Sequence, residues 1–350
     1  MTHTADSSLP EVIHDVDELE ELLSRPSPAA IRAVGRVDGD ILVLGAAGKM
    51  GPTLARMIRR ASDAAGVRRR VWGVSRFSNV EARRGLASHG VETIQGDLLL
   101  SEFVDSLPDA SSVIYMAGMK FGTTGNESLT WASNTWLPSL IARRYATSRI
   151  VAFSTGNIYG TVPIASGGSR ESDPLRPCGE YAMSCLGRER MFEYFSRTQG
   201  TPTALVRLNY AVETRYGVLV DLARKVYDGL EIDLTAGHVN VIWQGDASAM
   251  AIAALADVAS PPWVVNVAGP EILSVREICR QFGRLLGKPV RLTGCEPSDA
   301  LLNNGEMAHR RYGPPQISVE QMMRWIAHWV DTGGPTLNKP THFEERTGKF

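Results

Sequence analysis

Gly45, Gly48 and Gly51 stand three residues apart in GAAGKMG, where the apolar run ILVLG gives way to the helical LARMIRRA. Glycine at such a junction lets the backbone approach a pyrophosphate, whose charge the N-terminal end of the following helix favours. The chemistry implied is dinucleotide binding, with Lys49 and Met50 in the turn. About 20 residues further on, an acidic residue would take the ribose 2′-hydroxyl of NAD, whereas an arginine suits the 2′-phosphate of NADP. The chain reads Val74-Ser75-Arg76 there and has no acid before Glu81, so NADP is favoured over NAD. A second candidate is YAMSC, with Tyr181 and Cys185 one helical turn apart and therefore on one face. A phenol ionises near pH ~10 in water, so it works as acid or base near neutrality only when neighbours stabilise its anion. A neutral thiol supplies no cation, and a thiolate would push the phenol further up.

The elements that must position these residues are short apolar runs alternating with amphipathic helices. ILVLG (41 to 45), RVWGV (70 to 74), VETIQ (91 to 95), SVIYMA (112 to 117), RIVAFS (149 to 154) and TALVRL (203 to 208) read as strands. Such alternation implies an α/β architecture, a parallel sheet covered by helices on both faces. Residues 1 to 38 form an N-terminal extension whose Val16, Leu19, Leu22 and Leu23 make one stripe before Pro26 and Pro28, a stripe for the main domain or a partner subunit. Late in the chain, Ser274 with Glu277 and Ser318 with Gln321 have capping-box spacing and predict two helices.

The balance of 37 basic and 38 acidic residues, a formal net charge of -1, excludes a large one-sign field for nucleic acid or an anionic membrane. Cys178, Cys185, Cys279 and Cys295 form no CxxC pair and have no histidine at metal-ligand spacing, so neither a zinc site nor a disulfide framework is expected. The N-terminus lacks the pattern of a secretory signal, and no apolar run is long enough to span a bilayer. A cytoplasmic protein with reduced thiols is expected.

From residue 40 to about 330 the chain resembles the extended short-chain dehydrogenase/reductase family, in its sugar epimerase and dehydratase branch. The residues that carry the resemblance are the GxxGxxG spacing, Gly96-Asp97-Leu98 after the third strand, YMAGMKFG (115 to 122), Asn134, and FSTGNIYG (153 to 160) followed by Tyr181 on a helix. It implies a Rossmann-type doubly wound sheet over 39 to 208 and a smaller C-terminal α/β substrate region over 209 to 335. Segments near 239 to 268 return to the first domain, and 336 to 350 is a tail. It further implies adenine contacts at Asp97 and Leu98, and cofactor contacts at Ala117 and Gly118. Substrate contacts are implied at Lys120, Asn134, Thr155, Asn157 and Asn209, and a homodimer paired through the Tyr181 helix and the helix near 135 to 146. Tyr181 would be the acid or base, with the Thr155 hydroxyl on the substrate oxygen.

In the family a lysine follows the tyrosine by four residues, and here Cys185 stands in its place. Three readings follow. Lys120 takes over as the cation, with Arg188, seven residues past Tyr181, set too far along the axis. Alternatively the chemistry tolerates a neutral site, with Cys185 filling space or taking part. In the third, the protein binds cofactor without catalysis, as a sensor or silent subunit. Arg207, Asn209 and Tyr210 match a substrate element only in part, Asp246 is a helix cap or a functional residue, and Arg215, Arg224 and Lys225 are candidate anion contacts. Gly156 and Asn157 stand where 4,6-dehydratases carry an Asp-Glu pair, which argues against dehydration. The resulting expectation is an NAD(P)-dependent epimerase or oxidoreductase acting on a sugar or similar polyhydroxylated substrate.

Overall fold

The computed structural model describes residues 9 to 339 and 341 to 348; the parts of the extension and tail at 1 to 8, 340 and 349 to 350 lie outside the described residues. Seven strands form one parallel sheet: β1 (Ile41–Leu44), β2 (Val71–Ser75), β3 (Glu92–Gln95), β4 (Ser112–Tyr115), β5 (Arg149–Thr155), β6 (Thr203–Leu208) and β7 (Trp263–Val267), in the order β7-β6-β5-β4-β1-β2-β3. The central strands are predominantly apolar because helices cover both faces, and β1 and β4 are buried at every position. The reversal of strand order beside β1 opens a crevice at the carboxyl ends of β1 and β4, where a ligand can sit.

The extension belongs to this body. Helix α1 (Val16–Leu23) buries Leu19, Leu22 and Leu23 against a second core built from the C-terminal half of the chain, including Trp325 and Trp329. Helix α2 (Pro28–Arg36) buries Ala30 and Val34 in the sheet's core. Glu21 pairs with Arg56 and Arg60 on α3 (Gly51–Ala64), and Glu20 pairs with Arg215. The extension therefore fastens the sheet to the C-terminal half. Both late helices form as their caps predict, with Ser274 accepting from the Glu277 N–H and Ser318 from the Gln321 N–H.

Asp246 is neither a helix cap nor near the candidate site. It sits in the first turn of the helix Gln244–Ala253, and its buried carboxylate accepts from the backbone N–H groups of Gln316 and Ile317 at 3.0 and 3.1 Å. Burial raises its pKa from 3.8 to about 6, against those two hydrogen bonds. A folded-state value above the unfolded one means that the contribution to stability is complete below the unfolded pKa and is lost as pH rises through about 6. Asp246→Asn should remove that part of the pH dependence, on the order of 3 kcal/mol between the unfolded and folded values. Chemical denaturation of both proteins on either side of that pH measures it.

Candidate active site

At the end of β1, Gly45 has φ +93, and a Cβ there would lie 2.8 Å from the amide nitrogen of Ala117. Only glycine lets the β1 turn and the end of β4 come this close, and the approach aims the turn at the N-terminus of α3. That helix begins after Met50, whose side chain makes no capping hydrogen bond. An open helix N-terminus beside a glycine turn fits a pyrophosphate. The adenine-side candidates gather at the neighbouring strand ends: the Gly96 N–H donates to the Ser75 carbonyl, Gln95 donates to the Arg76 carbonyl, and Asp97 accepts from the Leu99 N–H. Arg76 is exposed and Leu98 buried.

A cavity of about 250 Å³ is lined by Gly45, Gly48, Lys49, Met50, Gly51 and, on its other side, Thr155 and Tyr181. A second cavity of about 400 Å³ shares Lys120, Asn157, Tyr210 and Thr341 with the first, so the two meet at those side chains. Thr155 ends β5, and its hydroxyl accepts from the Asn157 N–H at 3.2 Å. Helix α4 (Leu137–Arg144) leads into β5, and Tyr181 lies in the first turn of the long helix α5 (Gly179–Gln199). The Thr155 and Tyr181 hydroxyls are hydrogen-bonded to each other. The motif residues thus meet although 26 positions separate them in the chain.

The electrostatics follow from burial. Tyr181 is pushed far above the usual phenol value by burial and then by Cys185, with Arg188 and the Thr155 hydrogen bond acting the other way. It is a neutral hydrogen-bond donor at physiological pH. Cys185 is fully buried with Ile158 and Tyr159, and burial likewise raises its thiol. Burial lowers Lys120 to about 8, with Cys185 and Asp221 opposing the fall. Lys49 donates to the Ala211 carbonyl at 3.2 Å and stands 3.7 Å over the Tyr216 ring. Burial pulls its pKa down, Lys120 adds to the fall, and the buried Glu213 resists it.

Two expectations need correction. Asn134 does not face the cavities. It is completely buried in a π turn, Ala132–Trp136, and its carboxamide is saturated. It accepts from the Met119 N–H and Arg188, and donates to the Met119 carbonyl and the Ser184 hydroxyl. All four hydrogen-bonding positions are used, so it holds the loop after β4 in place. Arg188 is not too far along its helix: helical side chains lean toward the N-terminus, and its guanidinium reaches back to the Phe153 carbonyl at 2.8 Å and Asn134 at 2.7 Å.

Asn209 lines the smaller cavity and donates to Asn240. The candidate anion contacts are spent within the protein, Arg215 on Glu213 and Glu20, Lys225 on Glu344, and Arg224 on Thr336. The tail supplies what sequence reading missed. Thr341 is fixed to Asp221, Arg346 pairs with Asp299, Cys178 donates to the Thr347 carbonyl, and Phe343 is buried, so residues 341 to 348 wall the larger cavity. The aromatic Phe343 among the polar residues of 341 to 348 is the mark of this in the sequence.

Residues 41–258 match the model of a family described as the NAD dependent epimerase/dehydratase family. No curated protein matches the chain. Among solved structures, a dTDP-glucose 4,6-dehydratase from Streptomyces venezuelae with NAD bound is similar at 20% identity and a TM-score of 0.70, covering 84% of this chain and 97% of its own. A UDP-glucuronic acid 4-epimerase from Bacillus cereus, in complex with UDP-glucuronic acid and NAD, has 17% identity, a TM-score of 0.70, and coverage of 84% and 99%. A UDP-glucose 4-epimerase from Thermus thermophilus, in complex with NAD, has 21% identity, a TM-score of 0.66, and coverage of 83% and 98%. At these identities the structures share the fold with this chain.

Proposed function

Because the chain belongs to the NAD dependent epimerase/dehydratase family, we propose that it is an epimerase or oxidoreductase acting on a sugar or nucleotide sugar. The observation that carries this reading is the meeting of two cavities: the glycine turn, Thr155 and Tyr181 line one, and it joins the other at Lys120, Asn157, Tyr210 and Thr341. A nicotinamide dinucleotide along the glycine turn would supply the hydride chemistry. Tyr181, kept protonated by burial, donates its hydroxyl proton to a substrate oxygen or recovers it in the reverse direction, and Thr155 hydrogen-bonds that oxygen. Lys120 at the junction places a positive charge where negative charge develops. Cys185 takes the volume of a larger side chain without joining the proton transfer.

NADP is the preferred cofactor in this reading, although the similar structures named above are described with NAD. What supports it is Arg76, exposed just after β2, with no acid between it and Glu81. The homodimer rests on exposed apolar residues along one region, Trp131, Trp136, Met183 and Tyr194, the last two on α5. Among the described residues no helix is long and apolar enough to cross a membrane.

The test is calorimetric titration with NAD, NADH, NADP and NADPH, followed by turnover on a panel of nucleotide sugars and free sugars. Tighter binding of the NADP forms is expected, and Arg76→Asp should weaken them relative to the NAD forms by about tenfold or more, the scale of one charge-assisted contact. Failure to bind any dinucleotide would sink the functional reading. A preference unmoved by Arg76→Asp would sink the cofactor assignment alone.

A further inference from the structure

Arg188 carries a permanent charge in a place where charge is costly. The residue is 7% exposed, and among the described residues no carboxylate pairs with it. Glu189, its neighbour on α5, is committed to Arg207 at 2.8 Å. The guanidinium donates only to neutral acceptors, the Phe153 carbonyl and the Asn134 side chain, and lies 5.6 Å from the centre of the Tyr115 ring. Its Nε is buried and unpartnered. Gly118 is shaped around it, since a Cβ there would collide with the guanidinium. A buried cation without a counter-ion costs several kcal/mol, so its retention needs an anion that forms nearby. The ionisable groups that face it are Tyr181, Cys185 and Glu189 on its own helix and Tyr115 from β4, with Lys120 acting on Cys185 from the loop after β4. Of these, Tyr181 and Lys120 line the cavity, and Tyr181 is the one that becomes an anion on giving up a proton.

We propose that Arg188 is a positioning residue of the active site, a fixed buried charge behind Cys185 that stabilises the Tyr181 anion during proton transfer. Tyr181, Cys185 and Arg188 follow one another at helical spacing on α5, and the guanidinium reaches back toward the helix N-terminus to the Phe153 carbonyl, two residues before the Thr155 that bonds Tyr181. The proposal rests on the functional reading of Tyr181 given above. The direction of the electrostatics agrees: Arg188 is the foremost influence drawing the Tyr181 pKa down.

Two measurements test it without a known substrate. Unfolding equilibria of the native protein, Cys185→Lys, Arg188→Met and the double variant form a cycle. Cys185→Lys brings a second cation against the first, so it should destabilise the native background and do so far less beside Arg188→Met, a departure from multiplicative behaviour of about tenfold or more. Independent effects would show that the guanidinium does not act at position 185. In parallel, tyrosine is replaced biosynthetically by tetrafluorotyrosine, whose phenol ionises several pH units below that of tyrosine, which brings the buried group into the native range; the fluorine-19 signal of position 181, identified by its loss in Tyr181→Phe, follows the pH at which phenolate appears. Removing a nearby positive charge raises a phenol pKa, so Arg188→Met should move this upward by about one unit or more, and Arg188→Lys should recover most of the shift. An unmoved titration, or one that moves downward in Arg188→Met, would overturn the proposal. Dinucleotide binding measured on the same proteins separates this outcome from failure of the functional reading, which would show as no binding in the native protein.

Discussion

Tyr181→Phe is expected to lower turnover on the identified substrate by about 10² to 10⁴, with little change in dinucleotide affinity or unfolding midpoint. The magnitude is that of losing one positioned proton donor. The phenol oxygen is the only atom removed, and the ring still fills its place on the cavity wall. Thr155 loses one hydrogen bond and keeps the other, to the Asn157 N–H, so the cavity should hold its shape. Steady-state kinetics and calorimetry on the purified variant provide the comparison. A variant that retains full turnover would remove Tyr181 from the proton-transfer step and turn attention to Lys120, which lies at the same junction.

The second large effect is on stability. Arg207 on β6 donates to both carboxylate oxygens of Glu189 on α5, to the Tyr159 hydroxyl at 2.6 Å and to the Glu171 carbonyl. Tyr159 in turn donates to Asn266 on β7. The side chains of the pair are 6% and 2% exposed. Glu189→Met should therefore cost about 3 to 5 kcal/mol, because it strands a guanidinium that cannot deprotonate. The double variant Glu189→Met with Arg207→Met should regain much of that loss, since well-packed apolar residues can replace a buried pair. Denaturant unfolding of the three proteins measures it, and equal losses in single and double variants would show that the pair contributes packing rather than charge. Tyr159 follows Thr155 by four residues, so the same network also holds the turn that presents the Thr155 hydroxyl.

The six strands read from the alternation of apolar runs and helices all form, with no end shifted by more than two residues and 203 to 208 unchanged. Hydrophobic runs between turn signals are a local property, so they survive folding unchanged. The glycine turn was legible for the same reason: it requires a backbone conformation, and a residue type announces it. Thr155 and Tyr181 could be named because their motifs are local, and the parallel sheet then brings the end of β5 and the start of α5 together.

What the sequence could not reveal concerns partners that lie far apart in the chain. The buried face of α5 runs through Ala182, Cys185, Arg188, Glu189, Phe192 and Ser196. Two charges lie on it, so polarity along the helix does not mark the side that faces inward. Whether a buried charge is tolerable depends on Arg207, Asn134 and the Phe153 carbonyl, which only the fold assembles. Asn134 was recognised as a residue but not for its role, because four hydrogen-bond partners decide whether a carboxamide has any capacity left for a ligand. The tail wall at 341 to 348 depends on Asp221 and Asp299, 120 and 47 residues away from Thr341 and Arg346. The sequence by itself determined the sheet, the dinucleotide turn and the identity of the hydroxyl pair, since each is specified within a short window. Only the tertiary structure decided which cation faces Tyr181 and what closes the cavity, because burial and long-range pairing set the energy of a charge.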